Sequence, residues 1–274
     1  MRKFSPDQAN KQDPSMTNDM PEPPPHLTFY HSVEFAPGRR TAGWPVIVPI
    51  VEMIIGAMGR LDFRGKRVLD IGCRDGALAF EAERLGATAV IGIDVDLPAE
   101  NIAFLSLALR SKARFERHSL YGLKPESFGL FDIVLMPGVL YHLRYPFWGL
   151  RLVRDLLVDG GTLLVETATF ADANTLPLLL CPTGAASPYE PTSCTFFNIK
   201  GFTETARSLG FAVVDQHSLM NLPPYDSAGS GSLPIDRTVF TCIRDRRLDD
   251  TKVMGYWDGQ VEMPGLPHWA ELSR

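Results

Sequence analysis

Residues 68–80 read VLDIGCRDGALAF, and this stretch decides the fold. A short apolar run delivers Asp70, then Gly72 and Gly76, into a strand-to-helix turn. Glycine at such a turn lets the main chain approach a ligand closely, and the helix that follows offers unpaired N–H groups. The spacing D-x-G-x-x-x-G is not the G-x-G-x-x-G of dinucleotide binders, because Arg74 stands where the middle glycine would be. Asp94 closes the next apolar run, AVIGID, 18 residues past Gly76. An acidic group after a second strand, about 20 residues beyond a glycine turn, suits hydrogen bonds to ribose hydroxyls.

Working outward, strand-like and helix-like runs alternate. VIVPIVEMIIGAMGRL (46–61) reads as an apolar helix, residues 77–86 as a helix with a glycine stop, 89–95 as a strand and 98–110 as a helix. RFERHSL is a weak strand, and FDIVLMPGV (131–139) is a strong one. A helix over 145–158 ends at the turn Asp159-Gly160-Gly161, which leads into the strand TLLVETATF. Strands alternating with helices of this length imply crossover units and a parallel sheet. After an irregular stretch at 171–198 come a helix near 200–209 and two strands, FAVVDQHSL and RTVFTCIRD, divided by a Pro/Gly/Ser loop. Joined without a helix, these two form an antiparallel pair at the sheet edge. The expectation is a single α/β domain, a doubly wound, mostly parallel sheet over 65–245. Residues 1–25 form a disordered tail, 26–64 a lid, 171–198 a substrate insert and 246–274 a C-terminal extension.

Composition narrows the function. The 274 residues are 45% hydrophobic and 22% charged, with net charge −5. The basic residues are scattered, which speaks against nucleic acid as partner. No apolar run approaches the ~20 residues of a membrane span, and no apolar stretch follows the basic N-terminal tip. A soluble, cytoplasmic protein acting on a small molecule is expected, with no membrane partner. Cys73, Cys181, Cys194 and Cys242 lack ligand-like spacing and read as reduced thiols.

VLDIGCRDG, IGIDVD, FDIVLMPGVLYHL and the DGGTLLVET turn and strand, taken in this order, resemble the class I S-adenosylmethionine-dependent methyltransferases. GVLYHLRYP (138–146), ETATFADANT (166–175), FYHSVEF (29–35) and the late Phe196-Phe197 and Gly210-Phe211 pairs are most similar to the tRNA wobble-uridine methyltransferases and their small-molecule relatives. The resemblance implies a Rossmann-like methyltransferase fold with a seven-stranded sheet and a reversed last strand, and S-adenosylmethionine as cofactor. It places Asp70 and Gly72 at the methionine part, in a turn completed by Cys73, Arg74 and Gly76. Asp94, followed by Val95, falls at the ribose, and Met136, Pro137 and Gly138 beside the transferable methyl. Ser119 and Leu120 stand where an acidic residue often contacts adenine.

Methyl transfer from a sulfonium needs positioning and a base for the acceptor's proton. His142, after the fourth core strand, is the first candidate base, and Glu166, at the end of the fifth, could orient an imidazole, bind the acceptor or cap a turn. Tyr30 and His31 lie in the lid and read as substrate or packing contacts, as do Tyr141, Asn174 and Phe196. Two residues, His142 and Glu166, do not make a metal site. The expected activity is methylation of a hydroxyl on a small molecule, such as a sugar or natural-product intermediate. Alternatives are an amine or carbon acceptor, a tRNA enzyme with Arg110, Lys112, Arg114 and Arg117 as its footprint, or a cofactor-binding partner protein without catalysis.

Overall fold

The computed structural model describes residues 21–171, 176–189, 191, 194–219 and 234–249. The tail 1–20, Asn174, most of the Pro/Gly/Ser loop and the extension beyond Asp249 lie outside them.

A hairpin comes first, β1 (Glu34–Ala36) and β2 (Arg39–Arg40), followed by α1 (Val48–Met58). Then come β3 (Arg67–Ile71), α2 (Ala77–Arg84), β4 (Ala89–Asp94), α3 (Ala99–Leu109), β5 (Arg114–Arg117) and the short α4 (Pro125–Phe128). The second half holds β6 (Phe131–Pro137), α5 (Pro146–Leu156), β7 (Leu157–Phe170), β8 (Leu179–Leu180), β9 (Phe196–Phe197), α6 (Ile199–Ser208), β10 (Phe211–Ser218) and β11 (Ile235–Arg244).

The main sheet runs β10-β11-β7-β6-β3-β4-β5, with β8 and β9 attached beside β7. β5, β4, β3, β6 and β7 are parallel, while β11 is antiparallel to both β7 and β10. The last strand is therefore the reversed one, inserted between β7 and the edge strand β10. Period-two alternation sends successive residues to opposite faces. Val68, Val90, Ile133 and Leu135 meet α1 and α2 through Ile54, Met58 and Leu78. Leu69, Ile91, Val134 and Met136 join a second core with Leu150 and Val153 of α5 and Phe202 of α6. A sheet covered on both faces needs such continuous apolar strands, which is why these read so clearly in sequence.

Two expectations on local structure change. Asp159-Gly160-Gly161 is no turn ahead of a strand but lies inside β7. The partner of Phe131 is Leu157 and that of Ile133 is Thr162, so the extra residues bulge out of the ladder, with Gly160 at φ +75°. The N-terminal segment also carries its own hairpin. Phe29 and Phe35 pack with Phe80 and Leu105 in a small separate core that seats it on α2 and α3.

Candidate active site

β3, β4 and β6 end side by side, with β3 in the middle. The chain steps outward from β3 to β4 and β5 and then returns past β3 to β6, and such a switch point opens a crevice at the carboxyl ends of parallel strands. A cavity of about 570 Å³ lies there, roofed by Tyr30 and His31.

Its floor is the glycine turn. Gly72 has φ +76°, and a Cβ there would collide with Val139. The N–H groups of Gly72 and Cys73 both donate to the Ile93 carbonyl (2.8 and 3.0 Å), tying the turn to β4. Arg74 keeps the left-handed backbone of the glycine it replaces, at φ +48°. Such a conformation costs a non-glycine residue about 1 kcal/mol or more. Local contacts offset it: its N–H donates to Asp94 Oδ2 (2.9 Å), and its guanidinium reaches Asp96 and lies over the Tyr30 ring. Asp94 Oδ1 accepts the Asp96 N–H (2.8 Å), so this carboxylate braces the turn with one oxygen and the strand end with the other.

Asp70 is buried under the cavity, and neither of its carboxylate oxygens has a hydrogen-bond partner among the described residues. Burial, with the nearby Asp94 charge, pushes its carboxyl up to about 7; the Ala79 amide opposes the shift but lies outside hydrogen-bond geometry. Burial also raises the neighbouring Cys73 thiol, with Asp70 and Asp94 adding to it, so this cysteine is a protonated wall atom.

The opposite wall comes from β6, β7 and β11. Glu166 is buried and paired with Arg237 through two bonds, Nε to Oε1 (2.7 Å) and Nη2 to Oε2 (2.8 Å). Glu166 Oε2 also accepts the Gly138 N–H (3.1 Å), fixing the turn after β6. Burial opposes the Arg237 charge, but Glu166, with Tyr141 and Tyr189, holds the guanidinium well above its ordinary value. Arg237 lies 4.7 Å over the Tyr141 ring and donates to Tyr189 Oη (3.3 Å). Burial lifts the Tyr141 hydroxyl far above the usual tyrosine range, with Arg237 countering only in part. His142 leans on Tyr141, ring centroids 4.0 Å apart.

The cavity thus gathers Tyr30, His31, Asp70, Gly72, Cys73, Arg74, Asp94, Val95, Ser119, Leu120, Pro137, Gly138, Tyr141, His142 and Glu166. Gly76, Met136 and Phe196 do not line it. Gly76 caps α2 at φ +85° against Phe80 and Phe115, Met136 faces the core, and Phe196 stands behind Tyr141 and Tyr189. Glu166 is engaged with Arg237 and the Gly138 amide. Arg237 and Asp75 escaped the sequence reading. The first is the lone charge inside the buried stretch RTVFTC, and the second follows the arginine that stands in a glycine's place.

A methyltransferase domain model matches residues 53–216, more than half of the chain. The chain belongs to this family of S-adenosylmethionine-dependent methyltransferases. A tRNA U34 carboxymethyltransferase from Pseudomonas paraeruginosa is 37% identical over 123 residues, 42% of this chain and 37% of that protein. The match therefore spans well under half of the relative's length. Among solved structures, the Burkholderia thailandensis 1,6-didemethyltoxoflavin-N1-methyltransferase superposes with TM-score 0.53 at 20% identity, covering 73% of this chain and 79% of that one. The [4+2]-cyclase SpnF gives TM-score 0.56 at 19% identity over 80% and 88%. At these identities the superpositions establish the methyltransferase fold, in agreement with the strand order.

The cavity of this methyltransferase fits its cofactor, S-adenosylmethionine. An unpartnered buried carboxylate at the floor suits a cationic group such as the ammonium of the methionine part. The Gly72 turn brings bare main chain to the cavity wall, and Asp94 stands at the second strand end. Among the described residues, no cluster of side chains could hold a metal ion, and no helix is long and apolar enough to cross a membrane.

Proposed function

We propose that this methyltransferase transfers the methyl group of S-adenosylmethionine to a hydroxyl on a small molecule. The observation that carries the reading is the cavity itself. At about 570 Å³ and roofed by its own N-terminal segment, it falls in the range of small-molecule pockets, roughly 300–1,000 Å³. When bound, the cofactor supplies an electrophilic methyl on a sulfonium.

The chain's own residues then have separable tasks. Asp70 and the Gly72 turn hold the methionine part, Asp94 the ribose, and Ser119 and Leu120 the adenine. Glu166 and Arg237 fix the Pro137–Gly138 turn, at whose side the methyl is expected. An imidazole takes the acceptor's proton; His142, in the turn after Gly138, is the candidate nominated by sequence. Tyr30 closes the site from above, and the methyl transfer proceeds away from bulk water.

Isothermal titration with S-adenosylmethionine and S-adenosylhomocysteine tests the cofactor assignment, and release of S-adenosylhomocysteine with a panel of hydroxylated compounds tests the reaction. Micromolar binding followed by turnover on a hydroxyl is expected; turnover only on amines would overturn the acceptor class.

Sequence similarity to the tRNA U34 carboxymethyltransferases supports a second reading, a tRNA-modifying enzyme. Its basic footprint is partly spent within the chain. Arg117 donates to the Val95 and Leu97 carbonyls, and Arg114 pairs with Glu116. Tighter binding of the carboxylated cofactor than of S-adenosylmethionine would favour this second reading.

A further inference from the structure

Asp75 lies in the glycine turn, just before the Gly76 cap of α2, and is 1% exposed. Its Oδ2 accepts the main-chain N–H groups of Tyr30 (2.7 Å) and His31 (3.0 Å), and its Oδ1 meets His31 Nδ1. A buried carboxylate on Nδ1 selects the tautomer that carries its proton there. The His31 side chain is 10% exposed, and His31 is among the residues that line the cavity. With Nδ1 given to Asp75, Nε2 is the nitrogen left for the cavity, and no described residue bonds to it.

We propose that His31 Nε2 is the base that takes the acceptor's proton, and that Asp75 is its positioning residue. The inference deepens the methyl-transfer reading and rests on it.

The rest of the lid holds the imidazole still. Thr41 Oγ1 donates to the His31 carbonyl (2.8 Å) and accepts the Val33 N–H (2.8 Å), and the Trp44 N–H donates to the Tyr30 carbonyl (3.0 Å). Gly43 sits so close to His31 and Ser32 that a Cβ would strike their main chain. A base must be held by its own supporting contacts to act without reorganising, and here the backbone on both sides of the imidazole is bonded. In the step, His31 Nε2 accepts the hydroxyl proton while the acceptor oxygen's electron pair forms the O–CH3 bond. The C–S electron pair returns to sulfur, giving S-adenosylhomocysteine. The imidazolium so formed is stabilised by the Asp75 carboxylate beneath it.

The surroundings also indicate the acceptor's chemistry. Ile47, Ile50 and Val51 give one apolar wall, and Tyr141 and His142, their rings 38° apart in tilt, give an aromatic one. Such walls suit a planar ring bearing a phenolic or enolic hydroxyl, which an imidazole can deprotonate. In this arrangement His142 is a stacking contact for the ring.

The probe is 4-nitrophenol, whose visible absorption distinguishes phenol from phenolate. The full chain, saturated with S-adenosylhomocysteine, is titrated with it in mildly acidic buffer where the free probe is neutral. The expected result is bound phenolate, with the phenolate-to-phenol ratio falling roughly 10-fold or more in His31→Gln and in Asp75→Asn, as loss of a positioned base requires. Unchanged S-adenosylhomocysteine affinity in those variants shows that the site still folds. Nitrogen-15 spectra of histidine-labelled native protein, expected to show His31 protonated on Nδ1 and bare on Nε2, provide a check independent of any variant. Probe bound as neutral phenol, no probe binding, or phenolate surviving both substitutions would overturn the proposal. So would phenolate lost only in His142→Ala. Failure to bind S-adenosylhomocysteine at all would instead overturn the methyltransferase reading beneath it.

Discussion

The two halves of the cavity are built in different ways. The cofactor half is a continuous piece of chain, β3–turn–α2–β4, held by local main-chain donors: Gly72 and Cys73 to the Ile93 carbonyl, Arg74 and Asp96 to the Asp94 carboxylate. The acceptor half is assembled from remote segments by side chains. Asp75, reaching out of the cofactor turn, meets His31 across 44 positions, and Glu166 meets Arg237 across 71. The first kind of site is sensitive to backbone change and to the Asp94 carboxylate that two of its amides share; the second depends on a few buried charges finding each other. A change of acceptor can therefore leave cofactor binding intact.

Four perturbations would break or sharpen that contrast. The largest effect is expected from Arg237→Ala, which strands the buried Glu166 charge; removing one partner of such a pair typically costs about 3–5 kcal/mol. Denaturant unfolding should show the loss, and the double variant Arg237→Met with Glu166→Gln should regain part of it. If Arg237→Ala unfolds at the same denaturant concentration, the pair is not holding the acceptor half together.

The next effect is a pH dependence from the other half. Asp70 titrates near 7 in the folded chain and near 3.8 when exposed. A raised carboxyl contributes stability that is fully present below the unfolded value and lost as pH rises through the folded one. Unliganded protein should therefore lose up to about 4 kcal/mol between pH 4 and pH 8 from this group. Asp70→Asn should flatten that slope in thermal unfolding and weaken cofactor binding at pH 8.

A smaller change is expected from Asp94→Ala. Charge-assisted bonds of this kind are each worth about 1.5–3 kcal/mol, so S-adenosylhomocysteine affinity should fall roughly 10- to 100-fold. The smallest is Arg74→Gly. Relief of backbone strain and loss of the Asp96 and Tyr30 contacts oppose each other, leaving a net change under about 1 kcal/mol. Limited proteolysis should cut the 21–44 segment only slightly faster, because the Arg74 contact with Tyr30 is lost while the Asp75 bonds to Tyr30 and His31 remain.

What could be read from sequence follows the same division. The turn, Asp94 and the strand order were legible because glycine spacing and apolar runs record local geometry. The antiparallel pairing of β10 and β11 was foreshadowed by FAVVDQHSL and RTVFTCIRD lacking a helix between them, but the insertion of β11 between β7 and β10 was not. Arg237 was not legible, since its meaning comes only when β11 pairs with β7 and sets Arg237 beside Glu166. Asp75 read as part of a turn because its partners, Tyr30 and His31, lie ahead of the N-terminal hairpin in a stretch that is neither strand nor helix and so leaves no periodic pattern. Phe196 read as a pocket residue, yet it supports Tyr141 from behind. Aromatic character signals burial but not which side of a wall is buried.

The insertion of β11 between β7 and β10 has a consequence for the order of events in synthesis. The cofactor turn can form once β3, β4 and β6 have left the ribosome, since those strands pair with one another. The sheet cannot close until residues 235–244 arrive and enter between two strands already made. Until then Glu166 has no guanidinium beside it, and β7 and β10 expose unpaired edges. Late non-local pairing of this sort is slow and leaves the intermediate prone to association. The newborn chain is thus competent to grip its cofactor before it can shape an acceptor pocket, and early cofactor binding would hold the first half folded while the last strand is found.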